Sequence, residues 1–204
     1  MSNINTAKKE AAKLLEHIQQ GKKNLKTNLE KYNKQIEEGY LGEKQGQELF
    51  QEEKDNFNSS TRKMAQQLLN TFQEYEQLEI EQLRANQDPI TADAVAELQL
   101  LGQLDTSSEE LQEYAEKYSN NQLALRRIDK IAKEKEIMFA LPESKEEKIQ
   151  NSYKKLQRIA ERYEYMHYSP GYSAASTADD MTIGAELEEL QSIGSDLADD
   201  EKEV

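Results

Sequence analysis

Apolar residues in the first forty positions recur in alternating steps of three and four. Leu15, Leu29 and Ile36 fall on one heptad position, with Lys22 as the exception, and Ala11, Ile18, Leu25 and Tyr32 fall on the other. That is the a/d stripe of a coiled-coil seam, sustained over about four heptads. The rest of the surface is Lys, Glu, Asn and Gln, so the seam is the only face available for packing. Lys22 has two readings. It is either a charge whose burial would fix the register, or a side chain that reaches water past Gly21. Gly39 can take the left-handed conformation that ends helices, and Gly42 lets the chain turn again. A connection this short makes the next helix an antiparallel neighbour.

The second helix is predicted over Glu43 to Asn86. Phe50, Phe57, Thr61, Met64, Leu68, Thr71, Tyr75 and Leu78 form one stripe, which Lys54 interrupts. Leu69, Phe72, Ile80 and Leu83 widen it to one side, and a wide apolar face implies more than one packing partner. The seam expected to carry the interaction therefore comprises Leu15, Ile18, Leu25, Leu29 and Tyr32 on the first helix, and Phe57, Met64, Leu68 and Tyr75 on the second.

Asp88-Pro89 breaks the long helix. Thr91 is the candidate N-cap for a helix from Ala92 to Leu104, where Val95, Leu98, Leu101 and Leu104 share a face. This helix is the first candidate to cover the second arm of the hairpin. Ser107 with Glu110, or Thr106 with Glu109, can form a capping box for a helix that runs to about Tyr118. A further helix follows to about Phe139, with Leu125, Ile128, Ile131 and Ala132 inward. Arg126-Arg127 on it could clamp an anion or simply face water. Ser144 with Glu147 caps another helix, whose stripe is Ile149, Tyr153, Leu156, Ile159, Ala160 and Tyr163. Gly171 to Ala178 reads as a linker. Beyond it Met181, Ile183, Leu187, Leu190, Ile193 and Leu197 recur at helical spacing among acids. Tyr165, Tyr168 and Tyr172, with Ile183, Leu187 and Leu190, are the candidate contacts to a partner. The tyrosines would equally serve as a helix end that covers the bundle.

The fold class is thus all-α. A long antiparallel, coiled-coil-like hairpin occupies 1–86. Shorter helices forming a small bundle on or beside it occupy 87–168. A linker and acidic tail with a short amphipathic helix occupy 169–204.

Only 36% of the 204 residues are hydrophobic and 32% are charged, a composition open to disorder. The phasing of the apolar positions and the scarcity of Gly and Pro argue instead for solvated helices. The net charge of −14 is unevenly spread. Residues 1–38 carry eight basic and five acidic side chains, residues 43–86 carry five and nine, and the last 32 carry one and ten. An acidic surface repels nucleic acid and anionic membranes, so neither is an expected partner. No apolar run approaches the roughly 20 residues that span a bilayer. The N-terminal residues lack the apolar core of a signal peptide. The chain has no cysteine, which excludes disulfides and thiolate chemistry within it. A cytoplasmic protein is the expectation.

Candidate chemistry is sparse. His17 and His167 have no second metal ligand at a telling spacing. Pairs such as Glu52-Glu53, Glu109-Glu110 and Glu188-Glu189 read as solvated charges rather than acid–base pairs. No phosphate loop, dinucleotide fingerprint or nucleophile elbow is present. The expectation is a protein that is not an enzyme and uses no cofactor, metal or small-molecule substrate.

The long polar hairpin at 3–86, the absence of Cys and the acidic segment after Tyr172 together resemble the small acidic helical assembly proteins of bacteriophage heads, including scaffolding-type proteins. The resemblance is one of layout and carries no diagnostic motif. It implies assembly of, or attachment to, a virion. Scaffolding-type proteins often end in a basic coat-binding helix, whereas this chain ends in acids. Two functions follow from the sequence. One is a structural or assembly protein that acts through helical protein–protein contact, including contact with its own copies. The other is a monomeric regulatory module whose acidic tail occupies a basic surface on a protein partner.

Overall fold

The computed structural model describes residues 3–86, 90–119, 121–168 and 173–195, with side chains in the last range from Thr182 onward. The described residues form seven α-helices and no strand. They are α1 (Asn3–Glu37), α2 (Glu43–Ala85), α3 (Ala92–Gln103), α4 (Ser108–Lys117), α5 (Gln122–Glu134), α6 (Lys145–Glu164) and α7 (Ser173–Ser192).

The stop and start signals in the sequence act largely as expected. Gly39 sits at φ 76° and ends α1. Its N–H donates to Ile36 O at 3.1 Å while the Tyr40 N–H donates to Gln35 O at 2.9 Å, the paired bonds of a Schellman cap. Thr91 Oγ1 accepts from the Ala94 N–H and starts α3. Of the two possible boxes before α4, Ser107 with Glu110 forms. Thr106 instead donates its hydroxyl to Leu101 O and Leu104 O. Ser144 and Glu147 bond reciprocally ahead of α6.

The chain divides into two compact units. One comprises residues 1–76 and 152–204, the other residues 77–151, so the division falls within α2 and α6.

The first unit contains the hairpin. Contacts between its arms keep a nearly constant sum of residue numbers. Ile36 lies against Gly46, Asn28 bonds Glu53, Gly21 receives Phe57 and His17 meets Ser60. A constant sum is the mark of an antiparallel pair. Ile4, Ala7, Ala11, Leu14, Leu15, Ile18 and Leu25 are buried along α1. On α2 the buried row is Phe57, Asn58, Thr61, Ala65, Leu68 and Phe72. That row sits to one side of the predicted stripe. Met64, Thr71 and Tyr75 are half-buried or at the edge of burial, and Leu78 is exposed. The predicted stripe of α6 is buried from Tyr153 to Tyr163; α7 packs along α1, and its Ile183 and Leu190 are buried.

In the second unit α3 and α4 both pack on α5. Leu98, Leu101, Leu111, Ala115, Leu125, Ile128 and Ile131 form a closed core. Glu97 ties α3 to α4 by accepting from Lys117 and from the Tyr118 hydroxyl, each at 2.6 Å. Lys117 and Tyr118 hold that carboxyl below the usual range.

On α3, Leu98 and Leu101 belong to the α3–α4–α5 core. Three expectations need correction. Val95 and Leu104 lie outside that core because the buried face runs through Ala94, Leu98 and Leu101, in steps of four and three. The helix expected to reach Phe139 stops at Glu134, where Lys135 closes the last turn and Glu136 adopts φ 55°. The segment read as a linker is helical from Ser173. From Ser173 onward the sequence has no Gly or Pro before Gly184, and alanine is the strongest helix former.

Candidate interaction surface

The predicted hairpin seam is covered unevenly. Leu15, Ile18, Leu25, Phe57 and Leu68 are buried, and Leu29, Tyr32, Met64 and Tyr75 are half-buried.

At the base of the hairpin, glycine decides the packing. A methyl group on Gly21 would lie 2.0 Å from Phe57 Cε2, so the ring fills the notch that the missing side chain leaves. Phe57 also meets Tyr168 edge-on at 6.1 Å and His17 at 5.8 Å. Lys22 does not escape past Gly21, because Phe57 occupies that route. Only 7% of the residue is exposed, and its ammonium lies 5.3 Å above the centre of the Tyr168 ring, where the aromatic face attracts a cation. Asn58 fixes Tyr168 from the other side. Its side-chain amide donates to Tyr168 O at 3.1 Å and its oxygen accepts from the Tyr168 N–H at 2.8 Å. Thr61 Oγ1, one turn on, is buried without a hydrogen-bond partner.

These contacts redistribute the candidate partner residues. Tyr168 is half-buried in the hairpin base, and Tyr165, at 80% exposure, faces solvent. Tyr172 lies outside the described residues, as does the acidic segment from Asp196. Ile183 and Leu190 are buried and Leu187 is half-buried, so the apolar face of α7 is used within the chain. Glu186 lies on the same face at 2% exposure. It pairs with Arg162 and accepts from the Tyr163 hydroxyl at 2.6 Å. Burial nevertheless raises its pKa above the usual 4.5. Lys8 closes the other end of α7 by donating to Ile193 O at 2.8 Å and Gln191 O at 3.2 Å.

The part of the hairpin nearest the Gly39 turn is different. Between Lys26 and Asn56, Gly46 is the one buried residue. Leu29, Tyr32, Ile36, Leu41 and Phe50 are half-buried, while Leu49 and Tyr40 are exposed. A polar link replaces a core here. Glu53 accepts from Asn28 at 2.9 Å and from the Tyr32 hydroxyl at 2.6 Å. The bond to Glu53 raises the tyrosine pKa. Between the base and this region, one flank of the hairpin carries a groove of about 830 Å³. Gly21, Leu25 and Phe57 line its apolar part.

Sequence reasoning missed Asn58, Glu186 and the role of Gly21. An isolated glycine within a helical pattern was the available signal for a close approach. For Asn58 and Glu186 nothing in the periodicity separates a buried polar residue from its exposed neighbours. Among the described residues no group of three or more His, Asp or Glu converges as a metal site. No helix among them is long and apolar enough to cross a membrane. Comparison of the chain with protein-family models, with curated proteins and with solved structures finds no match.

Proposed function

We propose that the chain is a non-enzymatic structural or assembly protein, and that the turn-proximal half of its hairpin is the element that docks on other chains. The observation that carries this reading is the burial pattern between Lys26 and Asn56, where a helical seam is left half-covered and Gly46 alone is buried. Two amphipathic helices bury little surface by themselves, and most helical stability in water comes from tertiary packing. A helix from another chain supplies what this half lacks. The layout that resembles phage head assembly proteins fits the same reading, with copies of the chain as the first partners. The activity so proposed needs no cofactor.

Hydrogen exchange at low and high protein concentration tests the reading. Amides between residues 26 and 56 become more protected as concentration rises, while those of α4 and α5 do not change. Exchange that is independent of concentration throughout the hairpin overturns self-assembly.

A further inference from the structure

Among its described side chains α7 buries Ile183, Glu186, Leu190 and Ile193. Their steps of three, four and three are those of a helical seam, and a carboxylate stands at one seam position. The end of α6 answers it, because Glu186 pairs with Arg162 and accepts from the Tyr163 hydroxyl at 2.6 Å. A polar residue in a seam costs stability and fixes register. A helix shifted by one turn would set Ile183 or Leu190 against Arg162. The far end of α7 is matched as closely. Residues 173–195 include five acids and no Lys, Arg or His. The helix therefore brings no cation to the negative end of its own dipole. Lys8 of α1 supplies one by donating to Ile193 O at 2.8 Å and Gln191 O at 3.2 Å. Gly194 then turns the chain at φ 74°, and a methyl group there would lie 3.2 Å from Ile4 Cδ1. Alone, α7 is a weak helix. Glu186, Glu188 and Glu189 stand toward the end where its dipole disfavours them, and helices of this length depend on packing. Both polar anchors carry a desolvation cost, since burial raises the pKa of Glu186 and lowers that of Lys8. A segment built this way folds where it docks.

We propose that the face of α1 and α6 between Lys8 and Arg162 is a binding site for an acidic helix, that α7 is the ligand it holds within the chain, and that α7 of a second copy fits it equally. The contacts define the ligand. It carries an apolar residue, a glutamate three positions on, apolar residues seven and ten positions on, and a glycine at eleven, as Ile183, Glu186, Leu190, Ile193 and Gly194 do. Two basic side chains, Lys8 and Arg162, meet a helix whose charged residues are all acidic. Docking one element in place of its counterpart from another copy needs no new contact, because the site is the same. The site is independent of the turn-proximal docking proposed above.

A fluorescent peptide of residues 173–195 stands for α7 of another copy. In the full chain, Leu190→Asp puts a charge into the seam and vacates the site. Gly194→Ala strains the closing turn and crowds Ile4, and so loosens α7 with the seam intact. Fluorescence anisotropy should show the peptide binding at least tenfold more tightly to the Leu190→Asp chain than to the parent, whose site is filled, with the Gly194→Ala chain changed in the same direction. A Glu186→Lys peptide sets its ammonium against Arg162 and should lose at least tenfold in affinity. A Glu188→Lys peptide, altered at an exposed position, should not. Hydrogen exchange of the parent chain needs no substitution. Amides of residues 190–192 should exchange at least tenfold faster than those of Leu14, Leu15 and Ile18. No gain in peptide binding for either altered chain, or equal affinities of the two lysine peptides, would overturn the site. Amides of α7 that exchange only in step with those of α1 would overturn its separate docking.

Discussion

The base of the hairpin and its turn-proximal half share one sequence rhythm and are built differently. From Ile4 to Leu25 the α1 stripe is buried to the point that Leu14, Leu15 and Ile18 have no exposed surface. From Leu29 to Ile36 the same spacing leaves every apolar residue half-buried. The difference lies in what stands beside the pair. At the base, Tyr168 and α7 add a further layer, and Phe57 closes the Gly21 notch. Near the turn, the arms have each other and a carboxylate bonded to Tyr32 and Asn28. Periodicity specifies which face seeks cover, and the supply of cover decides whether a core forms.

Core truncation breaks this comparison most strongly. Ile18→Ala removes a fully buried side chain and should cost about 2–4 kcal/mol, whereas Ile36→Ala should cost about 1 kcal/mol or less. Urea denaturation of the two variants at one low protein concentration reads the contrast directly. Equal losses would mean that the two halves are equally packed.

Gly21→Ala probes the notch. The added methyl displaces the Phe57 ring, and overpacking of this kind costs about 1–3 kcal/mol. The aromatic near-ultraviolet dichroism should change with it, because Phe57 contacts both His17 and Tyr168. Gly42→Ala meets no atom within 4 Å and should lack both effects.

Thr61→Val sharpens the comparison in the opposite direction. It replaces an unpartnered buried hydroxyl by a methyl of similar size, so the base should gain up to about 1 kcal/mol in a urea melt.

The smallest effect concerns pH. Burial raises the pKa of Glu186 above 4.5, so the folded chain holds this proton more tightly than the unfolded chain. Its contribution to stability is therefore fully present below 4.5 and is lost as pH rises from 4.5 through the raised value. Glu186→Gln should flatten that part of the stability profile, measured as urea midpoints at closely spaced pH values. An unchanged slope would mean that Glu186 titrates normally.

Much of the architecture was legible in the residues. The heptad steps, Gly39, the Ser107–Glu110 box and the Ser144–Glu147 pair each state a local rule that the surroundings do not override. The site was less legible. Lys22 reads as a seam interruption until Tyr168, far along the chain, is placed beneath its ammonium. Asn58 and Glu186 look like any exposed helix residue, because burial of a polar group depends on a partner brought by another helix. The α3 leucines mark a buried face without naming its partner, and α5 proved to be that partner.

Sedimentation velocity of the purified chain over a wide concentration series tests the central claim most directly. The account predicts a reversible shift from a species of 23.5 kDa to one of twice that mass as concentration rises. A single 23.5 kDa species over the whole series would contradict it and would leave the turn-proximal half of the hairpin uncovered by any copy of the chain.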